Sequence, residues 1–202
     1  MVFAHPLPSR EEKRAIEYES YESDILPEVA EFFRNCHRDF KEDPVIHGFR
    51  ESLAWIGRHR RPGRLLDVGS GTGIFVFLAQ RDFGWRGRGI DICDTSASKA
   101  AHEFDVSVDT GDFETFGYSP GEFDAITMLD VLEHTLDPTA FIRRARDLLK
   151  PGGVLYIAVP NQRCLLTVIL DRWMRLGGLG RRWFLERLYV RPHTCYFDLL
   201  KK

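Results

Sequence analysis

Residues 65–75 read Leu-Leu-Asp-Val-Gly-Ser-Gly-Thr-Gly-Ile-Phe. A short apolar run stops at three alternate glycines, Gly69, Gly71 and Gly73, and apolar residues resume at helical spacing with Ile74, Phe75, Phe77 and Leu78. This is a buried strand that turns abruptly into a helix. Glycine has no Cβ, so it takes positive φ and lets a ligand meet the backbone. A helix that begins there aims free N–H groups and a positive dipole end into the turn. Such a turn binds a nucleotide-like ligand at the carboxyl edge of a parallel sheet. The spacing is G-x-G-x-G rather than the G-x-G-x-x-G of dinucleotide sites. Asp67, two positions before the first glycine, suits a cationic amine better than a pyrophosphate. No Gly-Lys-Ser/Thr follows, which excludes a P-loop. Read alone, the turn is also compatible with a plain strand-to-helix connection.

The rest of the chain gives the turn its setting. Apolar runs alternate with helical patterns: strands over 64–68, 87–92, 106–109, 123–129 and 153–159, and helices over 72–82, 95–104 and 138–149. This alternation predicts an α/β, doubly wound parallel sheet with helices on both faces. Upstream, Pro44 starts a helix carrying Ile46, Phe49, Leu53 and Ile56 at helical spacing, and Pro27 starts another to about residue 40. We read three parts: an N-terminal arm and helix over 1–43, a Rossmann-like core over 44–160, and an arginine- and aromatic-rich segment over 161–202.

Five ordered stretches carry a family resemblance. They are Asp67-Val68-Gly69-Ser70-Gly71-Thr72-Gly73; Gly89-Ile90-Asp91-Ile92; Gly111-Asp112-Phe113; 123–130 with Val131-Leu132-Glu133-His134; and Leu149-Lys150-Pro151-Gly152-Gly153 with the strand to Asn161. In this order they resemble the class I S-adenosylmethionine-dependent methyltransferases, and most of all the group that includes the ubiquinone-biosynthesis O-methyltransferases. The resemblance implies a sheet ordered 3-2-1-4-5 and S-adenosylmethionine as cofactor. It implies cofactor contacts from Asp67, Gly69, Ser70, Gly71 and Gly73, and from Asp91 to the ribose hydroxyls. It further implies contacts from Ile92 to adenine, from Asp112 to the adenine amino group, from Phe113 through backbone or ring, and from Leu129 and Asp130. Plainer roles stand beside these. Asp67 also suits bracing the glycine turn, Asp91 capping the next helix, and Ile92 a core position. Asp109 competes with Asp112.

His134, beyond strand 4, is the candidate general base, because an imidazole takes up a proton near neutrality; a structural histidine is the alternative. Asp130, Glu133 and His134, with His193 further on, also resemble the magnesium cluster of small-RNA 2′-O-methyltransferases. Magnesium prefers oxygen ligands, so two histidines are unusual for it, and the metal is not favoured. The expected reaction is methyl transfer to a small-molecule acceptor, oxygen favoured. An RNA 2′-O-methyltransferase with a metal-assisted site and a truncated, non-catalytic cofactor-binding domain are the rival readings. The glycine spacing and Asp67 disfavour a nicotinamide oxidoreductase.

The 202 residues carry a net charge of −2, so composition exerts no global pull toward nucleic acid. Cys36, Cys93, Cys164 and Cys195 form no C-x-x-C pair, which argues for a reducing compartment and a cytoplasmic protein. No apolar run approaches a transmembrane span. Residues 11–31 hold eight acids and two bases, and Tyr18 and Tyr21 there are candidates for a lid. Residues 161–192 hold seven arginines and two acids. With their aromatic residues they fit a membrane surface, an anionic substrate or a solvated basic helix pair. The fold normally closes its sheet with two more strands after the fifth. Their apparent lack in 161–202 leads us to expect a truncated C-terminal part.

Overall fold

The computed structural model describes residues 2–3, 9, 44–159 and 195–196. The helix expected over 27–40, Tyr18, Tyr21, the 161–192 segment and His193 lie outside them. Five strands, β1 (Arg64–Val68), β2 (Arg86–Asp91), β3 (Val108–Thr110), β4 (Phe123–Leu129) and β5 (Leu149–Ala158), form one sheet in the order β3-β2-β1-β4-β5. Every neighbouring pair is parallel. The expected order 3-2-1-4-5 is therefore the observed one. A separate two-residue antiparallel pairing joins Val2–Phe3 to Cys195–Tyr196.

Strand alternation sorts the core into two clusters, one per face. Leu65 and Ala125 face the helices α1 (Pro44–His59), α2 (Ile74–Phe83) and α3 (Asp94–Phe104). Leu66, Val68, Ile126 and Met128 face α4 (Pro138–Leu148). Helix α1 buries Ile46, Leu53 and Ile56 completely, and its Phe49 meets Phe75 of α2 edge-on at 5.3 Å. Helix α4 opens with Pro138 in its first turn and with Asp137 as N-cap, whose carboxylate accepts from the Ala140 N–H at 3.0 Å; both are strong start signals.

Three elements start two or more residues from where they are expected, each for a local reason. Helix α2 starts at Ile74 because Gly73, its N-cap, is left-handed at φ 77°. β3 sits two residues later than its apolar run, since Gly89 pairs with Val108. β5 begins at Leu149, earlier than expected, because Phe123 pairs with Leu149 before the register jumps to Ala125–Val154. The intervening Lys150-Pro151-Gly152-Gly153 accommodates the jump, with Gly152 at φ 71°.

At the amino edge of the sheet Asp124, 8% exposed, ties three strands and the segment after α1 together. It accepts from Lys150 Nζ at 2.6 Å, Arg60 Nη2 at 2.8 Å and the Arg64 N–H at 2.9 Å. Burial alone would raise its carboxyl; the two cations and the backbone donor hold it well below the usual carboxylate range.

Candidate active site

Because all five strands run in parallel, the segments that follow β1, β2, β3 and β4 meet at one edge. Every sequence-predicted site residue among the described ones lies in these segments or at the strand ends that lead into them. Gly69, Gly71 and Gly73 have φ of 69°, 50° and 77°, a left-handed run that only glycine adopts without strain. The turn is fastened to β2 through Gly69 N–H and Ser70 N–H, both donating to Ile90 O at 2.8 and 3.2 Å.

Asp91 organises this edge. Its Oδ2 accepts from the Gly71 N–H at 2.8 Å and its Oδ1 from the Cys93 N–H at 2.9 Å. Its own carbonyl accepts from the Gly111 N–H at 2.8 Å. One residue thus joins the segments after β1, β2 and β3. Burial raises its carboxyl above the ordinary value, against the pull of these backbone donors.

The turn-bracing role that suited Asp67 therefore belongs to Asp91. Asp67, 3% exposed, instead accepts at Oδ1 from the Thr127 hydroxyl at 2.5 Å. Burial pushes its carboxyl to about 7; the Thr127 bond opposes the rise and Asp91 adds to it. Gly73 is also required by packing: a Cβ there would stand 2.7 Å from Val106 Cγ2 and 2.9 Å from Ala100 Cβ. Ser70 is buried, and its hydroxyl has no partner among the described residues. It lies so close to β2 that a Cβ on Gly89 would meet it at 2.3 Å.

Ile92 projects past β2 and is exposed, so a core role is ruled out. Asp109 is occupied: it pairs with Arg88 and accepts from Tyr118 Oη, both at 2.5 Å. That removes it as the competitor of Asp112, whose carboxylate accepts from the Glu114 N–H at 2.9 Å. The Phe113 ring is buried against Phe141, with centroids 5.4 Å apart. Arg144 of α4, which no sequence motif singles out, donates to Phe116 O at 2.6 Å and steadies this segment.

Leu129 is half-buried at the end of β4. Asp130 follows at φ 53°, a strained value for a residue with a Cβ, with its N–H held by Ala158 O at 3.0 Å. A 3₁₀ turn, Leu132–His134, comes next. Glu133 is 2% exposed, and burial, with Asp130 nearby, pushes its carboxyl to about 7. His134 is half-buried, with its N–H bonded to Val131 O at 2.9 Å. Among the described residues no three His, Cys, Asp or Glu side chains are grouped to hold a metal ion. Asp130, Glu133 and His134 thus do not gather into one centre. Among the same residues no helix is long and apolar enough to cross a membrane.

The edge therefore offers a left-handed glycine cradle, a buried hydroxyl with no partner among the described residues, and buried carboxylates. That set fits a cationic, hydroxyl-bearing ligand such as S-adenosylmethionine.

Comparison with known proteins agrees. The methyltransferase-domain family matches residues 42–200. The ubiquinone biosynthesis O-methyltransferase of Pseudomonas aeruginosa (strain UCBPP-PA14) is 33% identical over 184 residues, covering 82% of this chain and 77% of that protein. A methyltransferase structure from Thermotoga maritima, described as a possible histamine N-methyltransferase, superposes with a TM-score of 0.56 at 20% identity. It covers 85% of this chain and 72% of that one, and shows the shared fold. A chain from the complex of the Haloferax volcanii Trm112 methyltransferase activator with a methyltransferase is 25% identical at a TM-score of 0.51. The match takes in 56% of this chain and about half, 51%, of that one. The parallel sheet, the cofactor turn and these relatives agree: the chain belongs to the class I S-adenosylmethionine-dependent methyltransferases, in the group of the ubiquinone-biosynthesis O-methyltransferases.

Proposed function

We propose that the protein transfers a methyl group to an oxygen atom of a small-molecule acceptor. The observation that carries this reading is the 33% identity, over most of both chains, to ubiquinone biosynthesis O-methyltransferases. When bound, S-adenosylmethionine supplies a methyl group on a positively charged sulfur that leaves as a neutral thioether. The residues of this chain bind, orient and move a proton. Asp91 keeps an unused lone pair on each carboxylate oxygen after bracing the turn, and these accept from the ribose hydroxyls. The Gly69–Gly71 backbone and the Ser70 hydroxyl line the cradle. Ile92 offers an apolar side chain to the adenine, Asp112 accepts from its amino group, and the Phe113 backbone flanks it. Asp67 is the counter-charge to the ammonium group, and Leu129 and Asp130 close the edge at β4.

His134 takes the proton from the acceptor hydroxyl as that oxygen forms its bond to carbon. The rest of the catalytic gain comes from holding acceptor and methyl group in line away from water. The direct test is S-adenosylhomocysteine formation against phenol, lipid-quinone, sugar and RNA pools, each with and without magnesium. Turnover of a phenolic or quinone-type pool without magnesium supports the proposal. Turnover of RNA alone, dependent on magnesium, would replace it.

A further inference from the structure

Thr127 lies in the middle of β4 and is fully buried among Ala125, Ile126 and Met128. A hydroxyl at such a position needs a partner, and an isosteric valine would need none. Strand register supplies the partner: Thr127 is aligned with Asp67 on β1, and on its other side with Tyr156 on β5. Its Oγ1 is 2.5 Å from Asp67 Oδ1 and 3.4 Å from Leu66 O, so its one proton goes to the carboxylate. Tyr156 is engaged elsewhere, its hydroxyl 3.0 Å from Ser52 Oγ. On the β2 side Asp67 is aligned with Gly89, which has no side chain, and the charged group facing it from that strand is the Asp91 carboxylate. Among the described residues no basic side chain forms an ion pair with Asp67. A buried carboxylate with one neutral donor, a like charge nearby and no cation is an unfavourable arrangement for the protein alone. The missing cation is the natural place for a ligand.

We propose that Thr127 is a positioning residue for the cofactor: its hydroxyl fixes the Asp67 carboxylate beneath the glycine turn and keeps its negative charge available to a ligand's ammonium group. This rests on the cofactor reading given above. With a carboxyl titrating near 7, affinity for an ammonium-bearing ligand rises with pH through neutrality as Asp67 ionises. Loss of the Thr127 donor moves that rise to higher pH.

The test is calorimetric titration of the full chain with S-adenosylhomocysteine, which carries the ammonium group, from pH 6 to pH 9. The chains are wild type, Thr127→Val, Thr127→Ser, Asp67→Asn and the Asp67→Asn/Thr127→Val double variant. Thr127→Val should bind about tenfold or more weakly at pH 7, as expected for a lost hydrogen bond to a charged group. The gap should close toward pH 9. Thr127→Ser restores the hydroxyl and should bind within about threefold of wild type. Asp67→Asn should bind weakly with a flat pH profile, and adding Thr127→Val to it should cost less than about twofold. Wild-type affinity in Thr127→Val, or a loss equal at every pH, overturns the inference. So do Thr127→Ser as weak as Thr127→Val and effects that multiply in the double variant. If Thr127→Val does not fold, the Asp67→Asn profile still decides, since unchanged affinity there removes the counter-charge. A wild-type chain that binds no S-adenosylhomocysteine overturns the cofactor reading itself, a result separate from any of these.

Discussion

Replacing Asp67 by Asn should stabilise the cofactor-free protein at pH 8. Its carboxyl is raised from 3.8 to about 7, so the folded state resists ionisation that the unfolded chain undergoes freely. The sign follows from linkage: the unfolded state releases the proton first, so stability is lost as pH rises from about 4 to about 7, and the full penalty stands above that. About three pKa units at about 1.4 kcal/mol each set a ceiling near 4 kcal/mol. Asparagine carries no charge, and its carbonyl can still accept from Thr127. Its NH₂ group, however, enters a site where the described structure has no second partner for Asp67, which returns about 1–3 kcal/mol. A net gain of about 1–3 kcal/mol corresponds to a rise in Tm of about 3–10 °C for a chain of this size. The assay is thermal unfolding of wild type and Asp67→Asn, both free of cofactor, at intervals between pH 4 and pH 8. The advantage of the variant should be largest at pH 8, vanish as pH falls, and reverse toward pH 4, where the carboxyl is neutral in the folded protein and only the cost of the NH₂ group remains. A variant less stable than wild type at pH 8, or a difference independent of pH, refutes the argument that burial of an ionised carboxylate dominates here.

Other consequences follow from the same geometry. Asp91→Ala removes the acceptor of the Gly71 and Cys93 N–H groups and should weaken S-adenosylhomocysteine binding by about 1.5–3 kcal/mol, measured by calorimetry. His134→Ala should lower kcat while leaving S-adenosylhomocysteine affinity within about twofold, read from steady-state kinetics beside titration. Asp124→Ala strands Lys150, Arg60 and the Arg64 N–H and should cost about 2–3 kcal/mol of stability in denaturant unfolding. Because the Asp124 carboxyl is depressed, its contribution is complete above about pH 4 and is lost only as pH falls toward its lowered value.

The strands were legible because parallel strands covered on both faces read as short apolar runs, and 123–129 and 64–68 are such runs with sharp ends. The site was legible where ligand and backbone geometry act through adjacent residues, as in the glycine turn and Asp91. What lay hidden depends on neighbours distant in the chain. Thr127 looks like one polar residue in an apolar run, and its meaning emerges only when β4 is laid beside β1. Asp109 and Asp112 look equivalent until Arg88 and Tyr118 are seen to occupy the first. Gly73 reads as part of the turn, and only the fold shows that packing against Val106 and Ala100 needs it as well. The start of β5 was missed because Lys150-Pro151-Gly152-Gly153 reads as a turn, whereas the sheet takes it up as an irregularity between two registers.

The central claim is that this edge of the sheet holds S-adenosylmethionine. Calorimetric titration of the purified chain with S-adenosylhomocysteine and, separately, with NAD tests it most directly. Saturable binding of S-adenosylhomocysteine that falls in Asp91→Ala, with no heat from NAD, is the predicted result. Binding of NAD without binding of S-adenosylhomocysteine would contradict it.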